Sequence, residues 1–255
     1  MSQLTALSKN KFAGGVLLGA VASSLAAAAL SGAGTAHATC ASISGIGNGG
    51  GCTSTPTSFA IGIGPNTTAS AQGLFTGAIA IGPAIGFGTA ATSTGALSLS
   101  LAAGQGAKAT TQGNLALAVA VGDNLHANAG ATPADNLNVA VNIVQGELAG
   151  KVLANSVDAT GQGNFAANIG GLSDPAAARV NQVRAVGVGN AAFNLGGKGN
   201  DVFAGDFGKA STLGVAFNVL GNDNAVRAFG PLAVAGVIGQ DGKNVLQDGP
   251  GINLG

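Results

Sequence analysis

From residue 42 onward, aliphatic residues alternate with small ones in short bursts that return on a regular count. Bursts begin at Ser42 (SISGIG), Ala60 (AIGIGP), Ala78 (AIAIGP), Ala96 (ALSLSL) and Asn114 (NLALAV), each 18 positions after the last. The step lengthens to 24, 26, 26 and 24 at Asn138 (NVAVNI), Asn164 (NFAANI), Asn190 (NAAFNL) and Gly214 (GVAFNV). It returns to 18 at Leu232 (LAVAGV). A period of two, with Val, Ile and Leu on one face and Gly, Ala or Ser on the other, predicts a strand in every burst.

One strand of about 6 residues leaves room in each unit for two turns and a second, shorter strand. The strings TTASAQG, TAATSTG, AKATTQG and VDATGQG fit that second strand and end at Gly73, Gly95, Gly113 and Gly163. Turn chemistry follows the main strands at Gly64–Asn66, Gly122–Asn124 and Gly221–Asp223, where residue types that tolerate positive φ cluster. Such a unit cannot bury an apolar face alone but can do so coil upon coil. The chain is therefore read as all-β, a β-solenoid or β-roll-like repeat domain of 18- to 26-residue units over residues 58–240, followed by a polar tail or cap at 241–255. Small residues suit a narrow interior, and Phe59, Phe75, Phe87, Phe165, Phe193, Phe203 and Phe217 are expected to plug wider sections. Asn142, Asn168, Asn194 and Asn218 keep one position in four successive units, which predicts a ladder of stacked side-chain amides.

The first 38 residues read as a separate element. Lys9 and Lys11 precede an uncharged apolar run from Phe12 to Leu30, and Ala36-His37-Ala38 supplies a small-x-small cleavage site. A signal peptide cleaved after Ala38 is expected, the alternative being a retained anchor. His37, Ala38 and Thr39 before Cys40 do not fit a lipidation signal. Cys40 and Cys52 are the only cysteines, and in an exported chain they are expected to close a disulfide over the segment 39–57. Without the leader the balance is eight basic against ten acidic residues, and from Thr39 to Gly122 the sole charge is Lys108. That leaves no basic footprint for nucleic acid or an anionic membrane. A hydrophobic fraction of 46% argues against intrinsic disorder.

The runs SFAIGIGPNTTASAQG, GAIAIGPAIGFG and NLALAVAVGDNLHANAG, within residues 58–129, resemble the head repeats of trimeric autotransporter adhesins. The resemblance implies a β-roll and a surface-adhesive role. It covers less than a third of the chain. The 18-residue period is longer than that family's repeat, and neither a coiled-coil stalk nor a membrane barrel follows.

Candidate chemistry is sparse. His126 is the sole histidine beyond the leader and lies in a turn-like stretch, GDNLHANAG, read as solvated surface. No HExxH, CxxC, Walker or nucleophile-elbow sequence occurs. The segment GGKGNDVFA, Gly196 to Ala204, fits the nonapeptide of calcium-binding β-rolls, with Asp201 as the carboxylate ligand and Phe203 as the core residue. Calcium in such rolls sits between consecutive copies, yet the flanking nonapeptides carry Ala192 and Ala210 where the Asp belongs, so no cofactor is expected. Asp201 and Asp206 are the one close pair of acids, and Trp and Tyr are absent.

These features point to an exported, non-enzymatic repeat protein with a structural or adhesive role at the cell surface or in the envelope, meeting an envelope or host-surface ligand. The alternative is a secreted binding module for polysaccharide, a partner protein or ice, with Thr89, Thr92, Thr94, Thr110 and Thr111 as candidate contacts. A calcium-dependent roll or a polysaccharide-active enzyme ranks below both. Exposed strand edges at the solenoid ends leave room for homo-oligomers.

Overall fold

The structure, a computed structural model, describes residues 39–48, 50–83, 87–144, 155–171, 181–205 and 211–255. The predicted signal peptide at 1–38 lies outside them. Every regular element among the described residues is a strand. An irregular first unit holds β1 (Cys40–Ile43), β2 (Ile46–Gly47) and β3 (Cys52–Ser54). Two-strand coils follow: β4 (Phe59–Ile63) with β5 (Thr67–Leu74), β6 (Gly77–Ile81) with β7 (Thr89–Ala96), β8 (Leu99–Ala103) with β9 (Lys108–Thr111), and β10 (Leu117–Val121) with β11 (His126–Ala129). Longer coils carry β12 (Val139–Ile143), β13 (Ser156–Ala159), β14 (Gly161–Gln162), β15 (Phe165–Ile169), β16 (Gln182–Arg184) and β17 (Gly187–Val188). The last coils are β18 (Ala191–Leu195) with β19 (Asp201–Phe203), β20 (Val215–Val219) with β21 (Ala225–Phe229), and β22 (Ala233–Ile238) with β23 (Asn244–Asp248), closed by β24 (Gly251–Leu254).

The first strand of each coil joins a 12-stranded sheet and the second a 10-stranded sheet, while β14 and β17 form a small third sheet. The solenoid runs about eight turns. Pairing between coils is parallel and in register, as where Leu117 lies beside Leu99 and Val139. At the N-terminal end the direction reverses, since β1 pairs antiparallel with both β2 and β4. At the other end the chain does not leave the solenoid at residue 240. Strand β23 adds to β21 and β24 to β22, so 241–255 extends both sheets because its apolar Val245 and its strand register match the coil before it.

The interior is built from the small face of the alternation. One column of the 12-stranded sheet, from Ala60 through Ser100 and Ala140 to Ala235, is fully buried and is alanine at every rung but Ser100. The parallel column runs Gly62, Ala80, Ala102 and Ala120, then switches to Asn142, Asn168, Asn194 and Asn218. Facing it from the 10-stranded sheet, buried Ala69, Ala91, Ala109 and Ala127 give way to Val157, Val183, Val202, Val226 and Val245. The switch coincides with the lengthening of the repeat from 18 to 24 or 26 residues. A longer coil encloses more cross-section, and Val with Asn fills what Ala alone would leave void.

The expected amide ladder is present. Asn168 Nδ2 donates to Asn142 Oδ1 at 3.0 Å, Asn194 Nδ2 to Asn168 Oδ1 at 2.8 Å, and Asn218 Nδ2 to Asn194 Oδ1 at 2.7 Å. Further buried asparagines cap the corners. The backbone N–H groups of Asn164, Asn190 and Gly214 donate to the Oδ1 atoms of Asn138, Asn164 and Asn190 at 3.0, 2.9 and 2.8 Å. These side chains satisfy polar backbone that a tight corner would otherwise strand inside.

The phenylalanines correct the sequence reading. Phe59, Phe75, Phe87 and Phe165 are exposed, and Phe193 and Phe217 stack on the outer face with ring centroids 5.4 Å apart. Phe203 likewise faces outward from β19. The alanine columns define a cross-section too narrow for these rings; the buried Phe229 lies at the very end of β21, where the strand meets a corner.

Glycine is obligatory where coils meet at the corner before the 12-stranded sheet. Gly95 has φ 113°, and a Cβ there would lie 1.8 Å from the carbonyl oxygen of Gly113 on the next coil.

Candidate functional site

The Cys40–Cys52 disulfide joins β1 of one sheet to β3 of the other across the interior, with Cα atoms 5.4 Å apart. Both cysteines are buried, and Gly62 makes the space, since a Cβ there would come within 2.6 Å of Cys40 Sγ. The bond therefore ties the reversed first unit to both sheets.

The outer face of the 10-stranded sheet is polar. Thr53, Ser70, Thr92 and Thr110 form one in-register column, with Thr53 Oγ1 donating to Ser70 Oγ at 3.0 Å. The column continues through Asn128, Asp158 and Arg184. Two of the threonines proposed as surface contacts turn inward instead. Thr89 is buried and donates to the Gly104 carbonyl at 2.5 Å, and Thr111 is buried and donates to Ser93 Oγ at 2.9 Å. Thr92, Thr94 and Thr110 face out, half-exposed.

Further along this face the charges gather. Asp158 accepts from Asn128 Nδ2 and Ser156 Oγ, each at 3.1 Å, and lies 3.7 Å from Arg184 Nε. Phe203 sits between two guanidinium groups, with Arg184 5.6 Å and Arg227 5.9 Å from its ring centroid. His126 lies in register between Lys108 and Ser156. Partial burial against the strand, then the Lys108 ammonium, hold its imidazole below the ordinary value of 6.5, and the Asp158 carboxylate opposes them in part. The sequence reading took His126 alone, as solvated surface; parallel register brings Ser156 and Asp158 to neighbouring rungs beside it. The Ser156 hydroxyl donates directly to Asp158, which differs from a hydroxyl held by an imidazole for nucleophilic attack.

Asp201, the calcium candidate, lies in β19 with Gln182 and Ala225 beside it in register. Its rung neighbours therefore supply no second carboxylate. Asp206 lies outside the described residues, and among the described residues no three His, Cys, Asp or Glu side chains converge as metal ligands would.

The outer face of the 12-stranded sheet is apolar from end to end. Its columns carry Ile61, Ile79, Leu101, Val119 and Val141 at mid-strand, with exposed Phe59, Ile63, Ile81, Leu99 and Ile169 to either side. A further column, Leu97, Leu115, Leu137, Leu213 and Leu232, edges this face at left-handed φ of 54 to 58°.

No protein-family model, curated protein or solved structure matches the chain.

Proposed function

We propose that this is an exported, non-enzymatic repeat protein that acts by surface contact, in a structural or adhesive role at the cell surface or in the envelope. The observation that carries the reading is the column of hydroxyl and amide side chains on the outer face of the 10-stranded sheet. Thr53, Ser70, Thr92, Thr110 and Asn128 repeat at the strand spacing of about 4.8 Å along a hydrogen-bonded stack whose first unit is held by the disulfide. A rank of uncharged donors and acceptors matches a repetitive neutral polymer, and polysaccharide is the ligand class with that chemistry. The same column supports the second reading, a secreted binding module for such a polymer acting away from the cell.

The test combines fractionation with co-sedimentation. The protein is expected in the envelope or surface fraction and to co-sediment with purified cell-wall polysaccharide. The double variant Thr92→Glu/Thr110→Glu is expected to bind at least about tenfold more weakly, because each substitution puts a charge where the polymer offers neutral hydroxyls. Release into the medium favours the second reading. Retention in the cytosol, or binding untouched by the double variant, refutes both.

A further inference from the structure

We propose that the outer face of the 12-stranded sheet is a self-association surface, on which a second copy of this chain packs sheet to sheet. From β4 to β24 this face spans ten strands, and with the edging leucines it is about seven residues wide. Nine strand spacings of about 4.8 Å by six residue spacings of about 3.3 Å make that about 850 Å². The largest apolar patch on a soluble monomer is usually about 300–600 Å², whereas a standard protein interface buries about 800 Å² on each partner. The area thus exceeds what a monomer normally leaves wet and equals what one partner of a stable dimer covers.

The chemistry of the face names the occupant. No Lys, Arg, Asp, Glu or His lies in its outward columns among the described residues. An uncharged face has nothing to repel its own image, which an isologous contact requires. Its small positions are already filled from the same face, Gly77 by the Phe59 ring and Gly236 by the Phe217 ring, so the surface it presents is a packed aliphatic and aromatic sheet. The turns that rim it carry Asp123, Asp223 and Asp241 against Lys198 and Lys243. A polar rim around an apolar centre is the anatomy of a protein interface. Net carboxylates at that edge, with no Trp, Tyr or Lys/Arg belt, do not suit a lipid surface.

The edging column is a second, independent sign. Leu97, Leu115, Leu137, Leu213 and Leu232 hold positive φ while 51 to 60% exposed. Glycine fits that backbone better than leucine, and the chain does use Gly163 and Gly189 at the same place in two coils. Stacking in the monomer buries less than half of each leucine and leaves the rest facing water. A partner packed on this face would cover that remainder.

The inference does not depend on the polysaccharide reading, which concerns the opposite sheet. It is tested by sedimentation velocity and light scattering on the purified oxidised protein across a concentration series, beside Val119→Glu, Val141→Glu and, as control, Thr110→Glu. A dimer is expected for the native chain and Thr110→Glu. A charge buried without a partner on this face is expected to weaken association by at least about a hundredfold, giving monomers with unchanged circular dichroism and melting. Because these side chains point outward, folding is not expected to suffer. A variant that does not fold is replaced by Leu115→Gly, expected to fold and to weaken the dimer. A native chain that is monomeric, whether or not it binds neutral lipid vesicles, overturns the proposal. So does a dimer that survives both glutamate variants.

Discussion

Removing one rung of the asparagine ladder tests the account of the wide coils most directly. Asn194 is fully buried, its Nδ2 donating to Asn168 Oδ1 at 2.8 Å and its Oδ1 accepting from Asn218 Nδ2 at 2.7 Å. Asn194→Ala breaks both bonds. Asn218 Nδ2 keeps the Gly221 carbonyl at 3.1 Å, so that loss is an ordinary hydrogen bond of about 1 kcal/mol. Asn168 Oδ1 is left buried without its donor, which adds about 1–3 kcal/mol. The expected destabilisation is about 2–4 kcal/mol. The assay is urea unfolding of the oxidised protein by circular dichroism, where a slope of about 2 kcal/mol per M turns that loss into a midpoint drop of about 1–2 M. Thr92→Ala, on the polar outer face, is the control and is expected to stay within about 0.5 kcal/mol. A midpoint for Asn194→Ala indistinguishable from the control would refute the claim that the ladder holds the wide coils together.

Other outcomes follow from the same structure. Cys40→Ser/Cys52→Ser opens a ring of sequence separation 12 and is expected to cost about 3 kcal/mol; hydrogen exchange should quicken in β1 to β3 and not in β18 to β23. Gly62→Ala drives a methyl group toward Cys40 Sγ and Thr67 Oγ1 and should destabilise the same end, while the corresponding change at an exposed turn, Gly242→Ala, meets no atom and strains only its backbone. His126 titrates below its ordinary 6.5 in the folded chain, so the unfolded chain binds the extra proton first. Stability is therefore expected to fall as pH drops through about 6.5 toward the lowered folded value and to level off below it; His126→Gln should flatten that dependence in urea midpoints, and an equal slope in both proteins would contradict it. Calcium seeks about six or more oxygens, whereas Asp201 has Gln182 and Ala225 beside it; thermal melts with and without millimolar calcium should coincide for both the native chain and Asp201→Asn.

What the sequence disclosed depended on symmetry. The phase of 18 residues was visible because each coil repeats one strand, and the asparagines at 142, 168, 194 and 218 kept phase, so the ladder was legible before any coordinates. The disulfide was legible because the chain holds two cysteines in all. The inside of the coil was legible only in part. The expectation that small residues suit the interior held, but alternation does not say how much width is left beside them, and the phenylalanines expected to plug wider sections lie outside. Nor did the Thr-rich strings show that Thr89 and Thr111 turn in while Thr92 and Thr110 turn out, since every position there carries a small polar or Ala side chain compatible with either side. The meeting of His126 with Ser156 and Asp158 was hidden by the longer coil between them, whose register becomes known only from the pairing of Asn128 with Asp158.

Volume decides the inside of such a coil, and hydrophobicity decides what happens outside it. Two short strands per turn leave an interior that Ala, Ser and Gly fill in the 18-residue coils, and Val with Asn in the longer ones. Packing that space to native density uses up the small face, and larger side chains cannot enter without strain. The Ile, Leu, Val and Phe of the same strands then remain outside, at an exposure that folding alone does not relieve. The two faces accordingly answer to two separate burial events, coil stacking for the small residues and association for the aliphatic ones. Changes at Ala118 or Asn194 should act on unfolding at any protein concentration. Changes at Val119 or Val141, one residue away on the same strands or on the next, should act on the concentration dependence of melting. If the inward and outward substitutions shifted stability alike in dilute protein, the division of labour between the faces would be wrong.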